Sequence, residues 1–528
     1  MKNFTTSGPV NPEDHYFIPH RLDEDEVYNL INDKRYFILH APRQSGKTTA
    51  IRIFVDQLNA EGTYKALYIN VEPAQAARSN VIDGLRTILS GFKTDISRCF
   101  GLEDPAYAYL QREANNPMLS GGALNEFLQF WSEHTEKPII LFIDEIDSLV
   151  GDTLISVLRQ LRSGYVNRPK SFPQSVCLIG VRDVRDYRIW SDKEQQTILG
   201  GSAFNIKAES LVLADFSPQE VRDLYLQHTA QTGQKFTDEA IDYAFELTQG
   251  QPWLANALGY QACFRDVKDR SQPITKDVIE RAKEELIRRQ DTHLDVIINR
   301  LSEPRVRNVI DAIINGTVSM ELADDDDLKY VEDLGLIKRN AQTTWIANPI
   351  YQEILPRVLS TRYQNKMAGW PIDYYNTDGT LDMHKLLLMF TEFFRENSES
   401  WIKTDRDNKE DIKNAPYTES GPHLILMAFL QRVVNGGGSI HREYALGSKR
   451  VDILVKFAQQ RIVLELKINY GPKALQEGLV QTAQYMDKSN ATEGHLIIFD
   501  RSKTKTWDEK IYQRQEVCDG KTINVWGM

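Results

Sequence analysis

The sequence predicts an α/β protein of several domains, and three observations predict it. Tyr36 to His40 (YFILH) read as a buried strand that passes through a small-residue turn into a helical period. Further apolar strands follow at Lys65 to Val71, Pro138 to Ile143 and Val176 to Val181, with helical stretches between them, the order of a parallel sheet covered by helices. A separate group of three strand candidates, a Gln/Leu-rich helix and a last strand (GHLIIFD) appears only after Tyr417.

A chain of 528 residues has room for three or so domains at the usual ~100–200 residues each. Hydrophobic residues at 41% suffice for sizeable cores, and a net charge of −11 excludes a basic protein that coats nucleic acid. Cys99, Cys177, Cys263 and Cys518 are scattered without CxxC spacing, as expected of ordinary thiols in a reducing cytoplasm rather than a disulfide scaffold or thiolate metal site. The start, MKNFTTSGPVNPEDHYFIPHR, lacks an apolar core and a cleavage pattern. No later window supplies ~18 consecutive apolar residues, so neither secretion nor membrane spanning is expected.

In chain order, residues 1–215 form the first α/β core and residues 216–300 are amphipathic helices broken at Gly250-Gln251-Pro252, a helical lid or adaptor. Residues 301–360 combine a helix (EPRVRNVIDAII), a short helix at DDLKYVEDLG and the hairpin-like LIKRNAQTTWIANPIYQEIL, the order of a winged helix. The acidic run Asp324 to Asp327 within them is expected to be a solvated turn. Residues 361–409 read as a linker and a helix, and residues 410–528 as the second α/β domain.

The first chemistry-bearing segment is APRQSGKT, Ala41 to Thr48. Backbone amides of such a turn point inward at phosphate oxygens, and the following helix offers its N-terminus. Lys47 can reach β- and γ-phosphates and Thr48 can contact Mg²⁺, with Arg43, Gln44, Ser45, Gly46 and Thr49 completing the nucleotide-binding turn. Ala41 stands where the usual pattern has its first glycine, which requires a backbone conformation that tolerates a methyl group. IILFIDEID then places Asp144 and Glu145 just past a buried strand, Asp144 to hold Mg²⁺ or its water and Glu145 to polarise the attacking water. Arg182, Arg185 and Arg188 fall on one turn or short helix at i, i+3 after the next strand; one of them can sense the γ-phosphate, or all can pair with Asp183 and Asp186.

Together with GPVNPEDHYFIPHR, AFNI and TQGQPW, these motifs resemble the AAA-like domain of bacterial P-loop ATPases related to the STAND and archaeal ATPase families. The resemblance covers about the first 360 residues. It implies an ATP-driven switch or motor, with Gly250 to Pro252 coupling nucleotide state to neighbouring domains. Many such ATPases use neighbouring subunits, so a homo-oligomer is an expectation that no coiled-coil repeat in this chain establishes.

The second segment is HREYALGSKRVDILV followed by QQRIVLELKINY. Glu465 and Lys467, two apart on a strand, share a face. With Asp452 they suit a metal-dependent phosphodiesterase: Asp452 and Glu465 bind Mg²⁺ through hard oxygens, while Lys467 orients water and offsets phosphate charge. The bland alternative is a cross-strand salt bridge. Glu443 precedes Asp452 by nine residues as a possible support, and Gln481 and Tyr485 lie at i, i+4 on a helix, where they face a nucleic-acid strand or brace the site. This region, roughly 410–505, resembles the RecB-like branch of the PD-(D/E)xK nucleases, with Val451 in place of the literal proline.

The fold class expected is therefore α/β multidomain: a P-loop NTPase parallel sheet with helical and winged-helix-like domains, then a PD-(D/E)xK-type α/β domain. The expected function is ATP binding and hydrolysis controlling Mg²⁺-dependent hydrolysis of nucleic acid, in the first place DNA, in DNA processing or antiviral defence. A different class remains open: an ATP-dependent signalling or DNA-binding switch whose nuclease fold is weak or inactive. Local charge leans only slightly toward DNA, since residues 431–528 carry 15 Lys and Arg against 11 Asp and Glu while the remainder is acidic.

Overall fold

The computed structural model describes residues 1–114, 116, 118–289, 292–314, 325–340, 343–364, 374–403, 426–427, 429–430, 439–446, 449–469, 471–500, 502 and 505–528. The chain forms two compact units, the first from Met1–His293 with Lys329–Ile337, the second from Leu294–Leu328 with Lys338–Met528.

The first unit is built on a parallel sheet of β1 (Tyr36–His40), β2 (Lys65–Asn70), β3 (Ile139–Asp144), β4 (Ser175–Gly180) and β7 (Lys207–Val212), in the order β2-β3-β4-β1-β7. Strand alternation sends Phe37, Leu39, Ile140 and Phe142 to one face, against Ile51, Phe54 and Leu58 of helix Lys47–Glu61. Tyr36, Ile38, Leu141 and Ile143 go to the other, against Phe92, Phe127, Trp131 and Leu158. Both faces are covered, which is why these strands read as unbroken apolar runs. β7, KAESLV, is an edge strand of mixed polarity that the sequence reading passed over. A small antiparallel pair, β5 (Arg188–Ser191) and β6 (Gln196–Leu199), follows β4. Arg188 therefore opens a strand, and the expected single turn holding Arg182, Arg185 and Arg188 is not formed; the short 3-10 turn spans only Val184–Asp186.

The helices Pro218–Thr232, Asp238–Thr248, Pro252–Tyr260 and Lys276–Arg289 follow. The first starts at a capping box of Ser217 with Glu220, and Thr237 caps the second. The N-terminal segment is tied to this layer: Phe4 packs edge-on to Tyr16 and Tyr225, and Trp253 Nε1 donates to Thr6 O at 2.8 Å.

Next in the chain come the helices Pro304–Ile314 and Asp325–Asp333, the hairpin of β8 (Ile337–Arg339) with β9 (Thr344–Ile346), and the helix Pro349–Gln364, which occupies what the sequence reads as the end of the hairpin-like segment. Asp325 to Asp327 form the first turn of a helix rather than a solvated turn, where the helix dipole favours negative charge. Asp324 lies outside the described residues.

The second unit carries a six-stranded sheet, β10 (Ser439–Leu446), β11 (Lys449–Phe457), β12 (Gln460–Ile468), β13 (Glu493–Phe499), β14 (Tyr512–Cys518) and β15 (Lys521–Gly527), in the order β10-β11-β12-β13-β15-β14. β10 to β12 form an antiparallel meander, helix Pro472–Ser489 crosses over, and β13 returns parallel to β12. Leu454, Val463, Ala483, Met486, Leu496 and Val525 fill the core between helix and sheet. Among the described residues no helix is long and apolar enough to cross a membrane.

Candidate functional site

The phosphate turn connects β1 to helix Lys47–Glu61. Two of its residues are left-handed, Gln44 (φ 58°) and Gly46 (φ 90°), and Gly46 caps the helix. A Cβ at Gly46 would be strained by the left-handed φ and would sit 2.7 Å from Arg21 Nη1, so the guanidinium would have to move. Ala41 is not left-handed and its methyl packs in the apolar cluster under β1, which meets the condition its substitution for glycine imposed.

Lys47 is buried and its Nζ donates to the carbonyls of Ala41 (2.7 Å) and Pro42 (2.9 Å), spanning the turn from inside. Burial lowers its pKa, while Asp144, Glu145 and Asp147 act in the opposite direction. Thr48 Oγ1 donates to Asp144 Oδ2 at 2.8 Å, as does the Tyr68 hydroxyl, also at 2.8 Å. Asp144 Oδ1 accepts from the Glu145 amide at 2.8 Å. Glu145 adopts φ 57°, and its pKa is raised by burial first and by Asp147 and Asp144 next. Thr49 Oγ1 accepts from the Val10 amide at 3.2 Å, and Arg43 is exposed.

Residues that fit a nucleotide with Mg²⁺ can be judged on two observations. Ser45 Oγ is buried without a hydrogen-bond partner inside the turn, an orphan that a phosphate oxygen would satisfy. Thr48 and Asp144 bring hard oxygens together where a phosphate-bound Mg²⁺ takes few protein ligands. Both fit.

Several groups missing from the sequence reading surround the turn. Arg21 donates to Ser45 O and Ala214 O and lies 4.6 Å over the Phe216 ring; burial lowers its pKa to about 10. Phe216 N donates to Gly250 O at 2.8 Å, and Gln251 Nε2 reaches Gln44 O at 3.4 Å. His293 is buried, stacks on Trp253 at 4.8 Å and touches Gln44 Oε1; burial lowers its pKa to about 3, so the ring is neutral. A cavity of about 750 Å³ adjoins Thr48 and Tyr68, with Arg52, Arg86 and Arg98 in its wall.

Arg182, one of the three candidate arginines, has a partner other than Asp183 or Asp186. Arg182 Nε donates to Asp333 Oδ2 at 3.1 Å and its guanidinium lies 4.8 Å over the Tyr330 ring, while Lys329 pairs with Asp186 at 2.7 Å. Gly335, φ 76°, lies so close to Pro42 that a Cβ would stand 2.7 Å from it. The side chain of Arg185 lies outside the described residues.

The model of the AAA-like domain family matches residues 5–356. The chain belongs to the AAA-like domain family. Membership implies ATP, with Mg²⁺, as the ligand of the turn, and ATP hydrolysis as the activity. Among solved structures, this AAA-like protein is similar to a Walker-type ATPase of Pyrococcus abyssi, at 17% identity over 67% of this chain and 99% of that one, TM-score 0.46. It is also similar to RuvB of Thermotoga maritima, a Holliday junction branch migration motor, at 13% identity over 63% of this chain and 95% of that one, TM-score 0.33. A third is Cdc6p of Pyrobaculum aerophilum, at 14% identity over 66% and 96%, TM-score 0.34. No curated protein matches the chain.

The second predicted site lies beyond the family match. The register pairs Arg442 with Ile453 and Tyr444 with Val451, and Ile453 with Leu464, so the backbone positions of Glu443, Asp452 and Glu465 follow one another across β10, β11 and β12. The side chains of Glu443 and Asp452 lie outside the described residues. Glu465 is 2% exposed and Lys467 Nζ donates to its Oε1 at 2.8 Å, the shared face that period-two alternation predicted. Gln481 Oε1 is buried without a partner among the described residues. Tyr485 is buried in the core beneath the sheet, so its ring does not face solvent where a nucleic-acid strand would lie. Among the described residues no group of three or more His, Cys, Asp or Glu could hold a metal ion.

Proposed function

We propose that the AAA-like protein is an ATP-dependent switch that acts on nucleic acid, DNA in the first place, with a C-terminal sheet that cuts weakly or not at all. The observation that carries this reading is the engagement of Arg182 by Asp333 and Tyr330. In this switch an arginine just past the strand beside Asp144 would read the γ-phosphate, and here it is held by the helix whose first turn is the acidic run. Gly335 against Pro42 brings the same segment into contact with the phosphate turn.

When bound, Mg²⁺–ATP supplies the phosphoanhydride bond to be hydrolysed. Lys47 and the amides of Gln44 to Thr48 hold phosphate oxygens. Thr48 and Asp144 provide the metal's protein oxygens, and Glu145, with its raised proton affinity, takes a proton from water. Arg182 is the group whose choice between Asp333 and phosphate reports the nucleotide state. Binding of a labelled DNA duplex and single strand, measured with ADP, ATP and a non-hydrolysable ATP analogue, tests the switch. Affinities equal across the three nucleotides, or unchanged in Lys47→Ala, would overturn it.

A second reading, Mg²⁺-dependent nuclease, is favoured by one observation: the run of acidic backbone positions Glu443, Asp452 and Glu465 with Lys467 on the face of Glu465. Mg²⁺-dependent cutting of DNA or RNA that disappears in Lys467→Ala while ATP turnover persists would establish this reading over the first.

A further inference from the structure

The sheet of the second unit ends at β14, and this edge is unusual in three respects. Its pairing with β15 runs from Tyr512 opposite Gly527 to Cys518 opposite Lys521 without a shift, so no bulge twists the edge away. The strand, YQRQEVC, contains no proline and no lysine, and the two charges it does carry, Arg514 and Glu516, are of opposite sign and so do not repel a matching edge. Its first four residues and Val517 are exposed, Val517 at 74%. Among the described residues, β15 is its one strand neighbour.

The sequence of the strand is also complementary to itself. An antiparallel copy related by a two-fold axis through Gln515 sets Arg514 opposite Glu516 of the second copy and Glu516 opposite its Arg514. Arg514 and Glu516 already share a face, where Arg514 Nε lies 3.0 Å from Glu516 Oε1 and its guanidinium 5.5 Å from the Tyr512 ring. Directly opposed residues of an antiparallel pair have Cβ atoms about 5 Å apart, so the two ion pairs would join into one four-membered charge cluster. The same register sets Gln513 opposite Val517, and Tyr512 opposite Cys518. A shift by one residue along the strand would place Arg514 opposite residue 515 or 517 and lose both ion pairs, so charge selects the register.

We infer that β14 is a docking edge for a second copy of this chain, pairing antiparallel about Gln515 to continue the sheet across the two copies. This is independent of the switch proposed above and gives the expected self-association a surface.

The test uses the full chain. Light scattering across a concentration series should show a dimer that Glu516→Arg weakens at least about tenfold, because that change opposes two arginines. The exchange of both charges, Arg514→Glu with Glu516→Arg, restores opposite signs across the axis and should restore the dimer. In a Cys99→Ser, Cys518→Ser background, Gln515→Cys should cross-link under mild oxidation through its own symmetry mate, and Gln513→Cys should not. A monomer at every concentration, a dimer indifferent to Glu516→Arg, failure of the exchange to restore it, or absence of the Gln515→Cys cross-link would each overturn the inference. Circular dichroism of each variant separates loss of pairing from loss of folding.

Discussion

Arg182 Nε donates to Asp333 Oδ2 across 3.1 Å, joining residues 151 apart in sequence, with both side chains largely shielded from solvent. Burial raises the pKa of Asp333 more than Arg182 lowers it, so desolvation weighs heavily on this pair. Removing one partner leaves the other buried and uncompensated. Asp333→Ala should therefore lower the stability of the first unit by about 3 kcal/mol, while the paired change Arg182→Met with Asp333→Leu should cost less. Chemical denaturation of the three variants checks the order, and ATP titration of Asp333→Asn should show altered nucleotide affinity if Arg182 is released toward phosphate.

Lys47 bridges the carbonyls of Ala41 and Pro42 and is also the cation expected at phosphate. Lys47→Ala should reduce ATP turnover by at least about 100-fold while leaving the far-UV spectrum unchanged, because the turn is also held by Arg21 and by the helix start at Gly46. Steady-state hydrolysis and nucleotide binding by calorimetry provide the measurement. Normal turnover in this variant would remove Lys47 from the site.

Glu145 gives a pH dependence with a definite sign. Its pKa lies above the ordinary carboxylate value, so as pH falls the base is protonated, and hydrolysis lost, earlier than an exposed glutamate would dictate. The same shift bears on stability in the opposite sense: a carboxyl with a raised folded-state pKa favours the fold below its unfolded value and loses that contribution as pH rises through the raised one. Glu145→Gln should abolish turnover, retain ATP binding and raise the melting temperature at pH 7 to 8, with the gain vanishing in acid. A melting temperature that does not rise at neutral pH would contradict the origin assigned to the shift.

Gly250 holds φ 78°, and a Cβ there would lie 1.9 Å from the Phe216 carbonyl oxygen. Gly250→Ala should cost at least about 2 kcal/mol through the left-handed backbone and the clash together. Because Phe216 carries Arg21 on its ring, the same variant should weaken nucleotide binding, which a substitution on the exposed face of the adjoining helix, such as Gln219→Ala, should not. Parallel melting curves and nucleotide titrations distinguish the two.

The parts of the site that were legible in the sequence are those made by consecutive residues. The turn from Ala41 to Thr48 and the Asp144–Glu145 end of β3 declare themselves because a strand, a phosphate-binding loop and a helix start must follow one another in the chain. Arg21, Tyr68 and His293 could not be found that way, since each reaches the turn or Asp144 only after the chain has closed on itself. Arg182 was identified, yet its partner Asp333 was not, for the same reason. Among strands, β1, β3 and β4 are internal to their sheet and carry an apolar signal, whereas β7 and β14 lie on sheet edges and mix polar with apolar residues. The acidic run was misread because its charges suit a helix N-terminus as well as they suit a solvated turn.

The carboxylate of Asp144 has hydroxyls of Thr48 and Tyr68 on one oxygen and the amide of Glu145 on the other. Its hydration is thus replaced in advance by three protein donors, and the cost of stripping water from a buried anion is already met by the fold. Admitting a divalent cation becomes an exchange of ligands rather than a simple addition, because a hydroxyl must turn its proton away before the oxygen it serves is free. Tyr68, on the neighbouring strand β2, would then be one of the donors that a cation displaces from the carboxylate.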